Sequence, residues 1–255
     1  MSYGLQISAS GVMTSLYAQD VYANNLANID TPGFKADIPS TLPRLAVREE
    51  DGLPFLPSDK LLERLGGGAL LNPNRVDFTQ GSTKETGNPL DLAITGEGFF
   101  VVKDASDKEG RVRLTRDGRF TRNAAGQLVM ASTGLPVMDV SGRAISLGVG
   151  KVTVSGDGMV CAGGRECGRI QVATVSDKTG LSKLGNSMFL ADSGAVGDKG
   201  AGTVRQYGYE ESSADEVKML LAMTGAGRDV ESNASMIQAH DRMMDRAING
   251  LGRVA

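Results

Sequence analysis

The chain has 255 residues, which is enough for one large domain or two small domains with hydrophobic cores. Its 27 basic and 30 acidic residues give a formal net charge of −3, which favours neither nucleic acid nor an anionic membrane surface as a partner. A single histidine and two cysteines argue against histidine-based acid–base chemistry and most zinc sites. We therefore expect no catalytic, cofactor-binding or metal site, and no enzyme.

The chain termini lack the features of a membrane or secretory protein. No window approaches the roughly 18 apolar residues that a membrane-spanning helix requires. The first thirty residues have neither a basic region nor an apolar block, so we expect no cleavable signal peptide and no membrane insertion.

The first predicted element is an amphipathic helix from about Gly4 to Asn28. Its apolar residues recur at alternating four- and three-residue steps that only Gln19 interrupts, which indicates a continuous apolar stripe. Pro32 and Gly33 stop the helix. The stripe predicts an N-terminal helix seam at Leu5, Ala9, Val12, Leu16 and Ala23.

The middle of the chain is rich in glycine and is predicted to be β structure. Residues 35–75 contain several prolines and show little periodicity, which is typical of an extended connector that orders only against a neighbour. From about Val76 to Val204, short apolar runs alternate with turn sequences such as Arg116-Asp117-Gly118, which predicts an antiparallel β domain.

Two features of this β domain have two readings each. Cys161 and Cys167 bracket a predicted hairpin tip, where they form either a disulfide or two free thiols. Five arginines lie across two predicted strands, and we favour a solvated β face over a contact with an acidic neighbour. They are Arg111, Arg113, Arg116, Arg119 and Arg122.

A second helix is predicted from about Asp215 to Leu251, with a longer run of the same four-three alternation. Sustained 3.5-residue periodicity indicates a coiled-coil seam. Gly225 and Gly227 each cost about 1 kcal/mol relative to alanine and weaken this stretch. The predicted C-terminal helix seam comprises Leu220, Met223, Val230, Ala234, Ile237, Met244, Ile248 and Leu251.

These elements predict an α+β fold in which a discontinuous helical coiled-coil domain from both termini flanks an antiparallel β domain. The predicted divisions are an N-terminal coiled-coil helix over 1–34, an extended connector over 35–75, the antiparallel β domain over 76–206 and a C-terminal coiled-coil helix over 207–255. Neither helix has an obvious core of its own chain that covers its whole stripe. The uncovered stripe is therefore a predicted assembly surface.

The end of the first helix carries the most specific motif of the chain, Asn24-Asn25-Leu26-Ala27-Asn28-Ile29-Asp30-Thr31-Pro32-Gly33-Phe34-Lys35. It resembles the signature of the bacterial flagellar rod and hook proteins, in which two asparagines, an alanine and an asparagine precede Thr-x-Gly-aromatic-basic. We expect its asparagine amides to bond neighbouring backbones in a packed array. The expected assembly residues are Asn24, Asn25, Leu26, Ala27, Asn28, Thr31, Pro32, Gly33 and Phe34.

The resemblance extends over nearly the whole chain. Asp77-Phe78-Thr79-Gln80-Gly81, Thr86–Ile94 and Gly96–Val102 are similar to the start of the family's β domain. Glu210 and Ser212 match near the terminal helix, whereas Gly225, Ala226 and Gly227 stand where the family has bulkier or polar side chains.

The resemblance implies a structural subunit that stacks helically in the axial drive shaft of the basal body and transmits torque from motor to hook. The implied partners are copies of the chain, other rod and hook subunits and the flagellar type III export apparatus. A proximal-rod position is favoured over a distal one because the connector is short and the chain lacks long inserted domains. The alternative from another class is a secreted or envelope β-rich binding module with a helical oligomerisation stalk.

Overall fold

The computed structural model describes residues 3–46, 49, 66–104, 112–175, 177–191, 196–197 and 202–251, and the side chain of Leu251 is outside the description. Along the sequence, a long helix near each end of the described chain precedes or follows a series of antiparallel strands. The predicted α+β fold class is thereby confirmed.

Helix α1 covers Tyr3–Ala27 and helix α2 covers Glu216–Leu251, each within a residue of its predicted bounds. Helix α2 begins where the Asp215 carboxylate accepts a hydrogen bond from the Lys218 backbone N–H at 3.1 Å, as an N-cap residue does. This backbone hydrogen bond, together with the Lys218 charge, holds the pKa of the Asp215 carboxyl below its ordinary value.

The segment predicted as an extended connector, 35–75, is extended in its described parts but is also paired. Strand β1 (Asp37–Pro43) and strand β2 (Ala69–Val76) form a two-stranded antiparallel sheet, with Asp37 opposite Val76 and Pro43 opposite Ala69. The pairing satisfies the backbone groups of the two strands within the chain itself. Residues 50–65, in the middle of the predicted connector, lie outside the described residues.

Among the residues that the structure describes, fifteen further strands lie between these elements and α2 in sequence, and the pairings found among them are antiparallel. The largest sheet has six strands in the order β13-β14-β6-β5-β12-β15. The strands are β3 (Thr83–Glu85), β4 (Leu92–Thr95), β5 (Phe99–Val102), β6 (Val112–Thr115), β7 (Phe120–Arg122), β8 (Leu128–Met130), β9 (Val152–Val154), β10 (Met159–Ala162), β11 (Arg165–Arg169), β12 (Val172–Val175), β13 (Ser182–Gly185), β14 (Met188–Ala191), β15 (Val196–Gly197), β16 (Thr203–Gln206) and β17 (Gly208–Glu210).

The hydrophobic core of the β structure draws on strands from several of these sheets. Burying such side chains stabilises each by about 1.5–3 kcal/mol relative to exposure. The largest members are Leu92, Ile94, Phe100, Phe120, Leu128, Met130, Ile145 and Ile170.

The first part of the predicted C-terminal coiled-coil helix, residues 207–214, is not helical. Its strand β17 pairs with β3, so that Glu210 lies opposite Thr83. Tyr207, just before the strand, has a φ of 72°, which is incompatible with a continuous helix. The helical part of the segment begins only at Glu216, after the N-cap Asp215.

The chain forms two compact units. The helical unit contains the described residues of Met1–Ala27, Asp37–Val76 and Asp215–Ala255, and the β unit contains those of Asn28–Ala36 and Asp77–Ala214. The motif at the end of α1 is thus divided, because its second half belongs to the β unit. No helix in the described part of the chain is long and apolar enough to cross a membrane.

Candidate assembly site

The second half of the motif forms a tight turn within the β unit. The Thr31 N–H donates to the Asn28 carbonyl at 3.1 Å, and the Phe34 N–H donates to the Thr31 carbonyl at 3.2 Å. The Thr31 hydroxyl also donates to the Asn28 side-chain oxygen at 3.2 Å. Pro32, which cannot continue a helix, is buried at the tip of this turn.

The turn requires glycine at position 33, because its backbone conformation and its surroundings leave no room for a side chain. Its φ is +64°, and a Cβ at this position would lie 2.2 Å from the carbonyl carbon of Arg116 and from the backbone nitrogen of Asp117. Its N–H donates to the Glu210 carbonyl at 2.7 Å. The absence of a side chain therefore lets the turn pack against two backbone segments of the β unit, one at Arg116 and Asp117 and the other at Glu210.

Immediately after the turn, Lys35 enters a buried ion-pair network. The Lys35 Nζ lies 2.5 Å from the Glu210 Oε1, and the two side chains are 1% and 0% exposed. The same ammonium donates to the Thr79 carbonyl at 2.7 Å. The Gly81 N–H donates to the Glu210 Oε1 at 3.0 Å, so the carboxylate is also held by the backbone of the β unit.

Arg116 completes the network from the other side. Its Nη1 lies 2.8 Å from the Glu210 Oε2, and its Nη2 donates to the Gly96 carbonyl at 2.7 Å. The guanidinium carbon lies 5.3 Å from the centre of the Phe99 ring. Arg116 is 6% exposed, so the prediction of a solvated face is wrong for this residue. Its charge is buried because Glu210 and the carbonyls satisfy it.

The network of Lys35, Arg116 and Glu210 contains two cations and one anion. The pKa of Lys35 is lowered in this environment. Burial lowers the pKa of the Lys35 ammonium below 10.5, and the Glu210 carboxylate offsets only part of this shift. Arg116 adds to the lowering. A buried network of this kind contributes little net stability but is costly to break, at about 3–5 kcal/mol when one partner is lost.

Phe34, the aromatic residue of the motif, is buried beside the network. The Lys183 Nζ lies 4.6 Å from the centre of its ring, at cation–π distance, and donates to the Lys35 carbonyl at 2.6 Å. The Phe34 carbonyl accepts a hydrogen bond from the Ser213 N–H at 3.0 Å. The segments around Phe34 and Ser213, far apart in sequence, are therefore adjacent within the β unit.

The first half of the motif lies in the helical unit, where Asn25 is fully buried. Its side-chain Nδ2 donates to the Asp37 carbonyl at 2.7 Å, and its Oδ1 accepts from the Asp37 N–H at 2.8 Å. The side-chain amide of Asn25 thus forms the same pair of hydrogen bonds with the backbone of Asp37, the first residue of β1, that a neighbouring strand would form. We expected this amide to bond the backbone of a neighbouring copy, but it bonds the backbone of its own chain.

The two helices pair in antiparallel orientation along a line of positions seven residues apart. A Cβ added to Gly4 would lie 2.4 Å from the His240 Nε2, and one added to Gly11 would lie 2.8 Å from the Asn233 Oδ1. Further along, the Asn25 Nδ2 lies 3.6 Å from the Met219 Sδ. Small residues on α1 therefore allow the two helices a close approach.

The predicted N-terminal seam does not follow this line. Leu5 is 37% exposed and Leu16 is 45% exposed, and Ala23 is exposed as well, whereas Ala9 and Val12 are half-buried. The apolar stripe is real, but α2 covers a neighbouring face of the helix. The contact of the N-terminal helix seam with other copies of the chain remains a prediction.

The residues of the predicted C-terminal seam are half-buried in the middle of α2 and exposed toward its two ends. Met223, Val230, Ala234 and Ile237 are half-buried. Leu220, Met244 and Ile248 are exposed, the last two at 54% and 63%. The side chain of Leu251 lies outside the described residues.

The remaining predicted site residues have mixed environments. Asn24 and Ala27 are exposed and Leu26 is half-buried. Cys161 and Cys167 are half-buried free thiols, which is the second of the two readings offered for them. Cys161 pairs with Glu166 next to a β-bulge, so Cys167 is not its cross-strand partner. The described residues contain no cluster of three potential metal ligands.

Comparison with known proteins identifies the class. Residues 5–35 match the model of the flagella basal body rod protein family, and residues 93–162 match that of the flagellar hook protein FlgE/F/G D1 domain. The first match covers α1 and the motif, and the second covers the centre of the β unit. The chain is thus similar to the axial proteins of the flagellar rod and hook.

Full-length relatives refine this class. The chain is 32% identical to the flagellar basal-body rod protein FlgF of Caulobacter vibrioides over 100% of both chains. It is 28% identical to the flagellar hook-basal body complex protein FlhO of Bacillus subtilis, again over 100% of both. It is 30% identical to the rod protein FlgG of Agrobacterium fabrum, over 94% of this chain and 95% of that one. The chain belongs to the family of flagellar basal-body rod proteins.

Proposed function

We propose that the chain is a structural subunit of the flagellar basal-body rod, that it polymerises helically through its terminal helices, and that it transmits torque from motor to hook. The observation that carries this proposal is the apolar surface that the helix pair leaves exposed. Leu16, Met244 and Ile248 are each at least 45% exposed on helices that already have a partner. Surfaces of this kind mark sites of protein–protein interaction.

The buried network suits a mechanical role. A subunit that carries torque needs its connecting segments fixed, and the Lys35–Glu210–Arg116 network fixes residues 33–36 inside the β unit by side-chain and backbone hydrogen bonds. We assign the motif residues to this positioning role in the assembled rod. The role assigned to the chain is structural and not enzymatic.

The proposed partners are copies of the chain, other rod and hook subunits and the flagellar export apparatus. Within the rod we favour a proximal position, because the chain of 255 residues leaves little room for an inserted domain beside its helices and β unit. A distal position is the second choice. The relatives include both FlgF and FlgG rod proteins. Their names support a place in the rod, but they do not distinguish a proximal from a distal position.

A charged substitution on the exposed seam tests polymerisation through the helices. Leu16→Asp adds a charge at a side chain that is 45% exposed, so the purified variant should keep the circular-dichroism spectrum of the natural chain. It should nevertheless be absent from purified basal bodies, since a charge buried at an interface costs several kcal/mol, on the order of 3–5 when unpaired. The matched control is Val149→Asp in the β unit, which is 89% exposed and should be incorporated. Normal incorporation of Leu16→Asp would contradict the proposal.

A further inference from the structure

Strand β9 is the last strand of its sheet, and no described strand pairs with its outer edge. The sheet has the order β11-β10-β9, and the inner edge of β9 pairs with β10. On that inner side the Ser155 N–H donates to the Met159 carbonyl at 3.0 Å. Because antiparallel strands alternate the direction of their backbone groups, those of Val152 and Val154 point away from β10. A row of outward backbone groups is a template for another strand.

The side-chain amide of Gln206 occupies this outer edge. Its Oε1 accepts a hydrogen bond from the Val154 N–H at 3.1 Å, and its Nε2 donates to the Val152 carbonyl at 3.1 Å. The same Nε2 donates to the Pro89 carbonyl at 2.7 Å, which helps to hold the amide in place. The Gln206 amide therefore makes the two hydrogen bonds with β9 that the backbone of a neighbouring strand would make.

The backbone of β16 runs beside the end of β9 but not along it. The Val204 N–H donates to the Gly156 carbonyl at 2.9 Å, and Gly156 lies beyond the last residue of β9. Gln206 is the last residue of β16, and Tyr207 follows with a φ of 72°, at which a strand cannot continue. The Gln206 side chain thus covers the part of the edge that the β16 backbone leaves uncovered.

The outer edge of β9 is complementary to itself. In an antiparallel pair of two β9 strands with Thr153 opposite Thr153, Val152 of each copy lies opposite Val154 of the other. Such opposed residues with outward backbone groups exchange two hydrogen bonds. The three residues of β9 are β-branched and uncharged, which favours strand pairing.

We propose that Gln206 closes the edge of β9 and so prevents this strand from pairing with β9 of a second copy. The amide satisfies the outward groups of Val152 and Val154 within the chain, so a second strand gains no hydrogen bonds unless the amide leaves. Subunits of a polymer are held at high local concentration, where an open edge would pair. The inference goes beyond the proposed function, because it names a contact between copies that the chain excludes.

A cysteine at position 153 reports whether two β9 edges meet. Thr153 is exposed, and antiparallel pairing would bring the two Cα atoms to about 4.5 Å, which a disulfide can span. The full chain carries Thr153→Cys with Cys161→Ser and Cys167→Ser, because Cys161 lies opposite Thr153 on β10. Gln206→Met then replaces the amide by an apolar side chain of similar length. Mild oxidation of this variant should give about tenfold more disulfide-linked dimer than the same chain with Gln206, since two hydrogen bonds no longer close the edge.

Gln206→Lys is the matched control for lost stability. It also removes the amide, but a lysine at a strand edge opposes the addition of another strand. Its dimer fraction should stay at the level found with Gln206. A second control moves the reporter to Val149→Cys, which is 89% exposed in the β unit and should not respond to Gln206→Met. Circular dichroism checks that each variant is folded, and Gln206→Leu repeats the test with a second apolar side chain.

Three results would overturn the inference. The first is an unchanged dimer fraction at position 153 in folded Gln206→Met and Gln206→Leu. The second is an equal rise with Gln206→Lys, which would mean that lost stability and not an open edge produces the dimers. The third is an equal rise with the reporter at Val149. None of these results depends on the presence of the chain in the rod, so the proposed function and this inference fail separately.

Discussion

The Lys35 ammonium lies 2.5 Å from the Glu210 carboxylate, and both groups are shielded from solvent inside the β unit. The two residues are 175 positions apart in sequence. Lys35 ends the motif that begins in the last turn of α1, and Glu210 ends strand β17, so the ion pair fixes two distant segments beside each other. Arg116 is the third member and makes the carboxylate the shared anion of two buried cations.

The first prediction concerns this shared anion. Glu210→Gln keeps the shape of the side chain but leaves the charges of Lys35 and Arg116 without a counter-ion. We expect the free energy of unfolding of the β unit to fall by about 3–5 kcal/mol, measured by chemical denaturation. Glu211→Gln is the matched control, because the Glu211 side chain is 41% exposed and its pair with Lys84 is long, at 4.0 Å. A control that destabilises as much as Glu210→Gln would refute the special role of the network.

The second prediction is a pH dependence with a defined sign. The pKa of Lys35 is lower in the folded chain than its ordinary value of 10.5. Between the two values the unfolded chain binds more protons at this group, so the contribution of Lys35 to stability rises with pH. Below the folded pKa the cost of burying the charged ammonium is present in full.

The measurement is the difference in unfolding free energy between the natural chain and Lys35→Met at a series of pH values. This difference should shift in favour of the natural chain as the pH approaches 10.5. A difference that is constant, or that shifts toward Lys35→Met, would show that burial does not dominate the environment of Lys35.

The third prediction separates the two reasons why position 33 requires glycine, which are its positive φ and the close approach of neighbouring backbone atoms. Gly33→Ala should be strongly destabilising, because the new Cβ would meet backbone atoms of Arg116 and Asp117 at 2.2 Å in addition to the positive φ. Gly134→Ala is the matched control, since Gly134 has a φ of +72° but no atom within 4 Å of an added Cβ. The control should lose only about 1–2 kcal/mol, the conformational cost alone. Equal losses in thermal or chemical unfolding would mean that the close approach at Gly33 is unimportant.

The fourth prediction compares two glycines inside the helices. An added Cβ at Gly225 meets nothing within 4 Å, so Gly225→Ala should stabilise α2 by about 1 kcal/mol through helix propensity. Gly11→Ala has the same propensity gain, but its Cβ would lie 2.8 Å from the Asn233 Oδ1, so the Asn233 side chain would have to leave the position in which it donates to the Asp229 carbonyl at 2.9 Å. Thermal unfolding followed by helical circular dichroism should therefore rank Gly225→Ala above Gly11→Ala. The reverse order would argue against the close helix pairing.

Much of the fold could be predicted from the sequence because its signals are local. Alternating four- and three-residue steps predicted both helices to within a residue, and turn glycines between short apolar runs predicted the antiparallel strands. Pairing of β1 with β2 was not predicted, because the prolines and weak periodicity of residues 35–75 hide two extended segments that face each other. The position of β17 was missed as well, since a three-residue strand has almost no pattern of its own.

The site could be predicted only in part. The motif at the end of α1 identified the right segment, but it did not predict that Lys35 would be buried, because lysine is usually exposed unless it is paired. Its partner Glu210 is too far away in sequence for any spacing to connect them. Periodicity likewise showed that α1 has an apolar stripe and could not show that Gly4 and Gly11, on another face, would contact α2.

The most direct test of the central claim, that this chain is a subunit of the rod, is gold labelling of a tagged copy on basal bodies purified from its native host. The account predicts label on the rod, and its height along the axis would distinguish a proximal from a distal position. Basal bodies with complete rods but without label, with the tag found elsewhere in the envelope, would contradict the account.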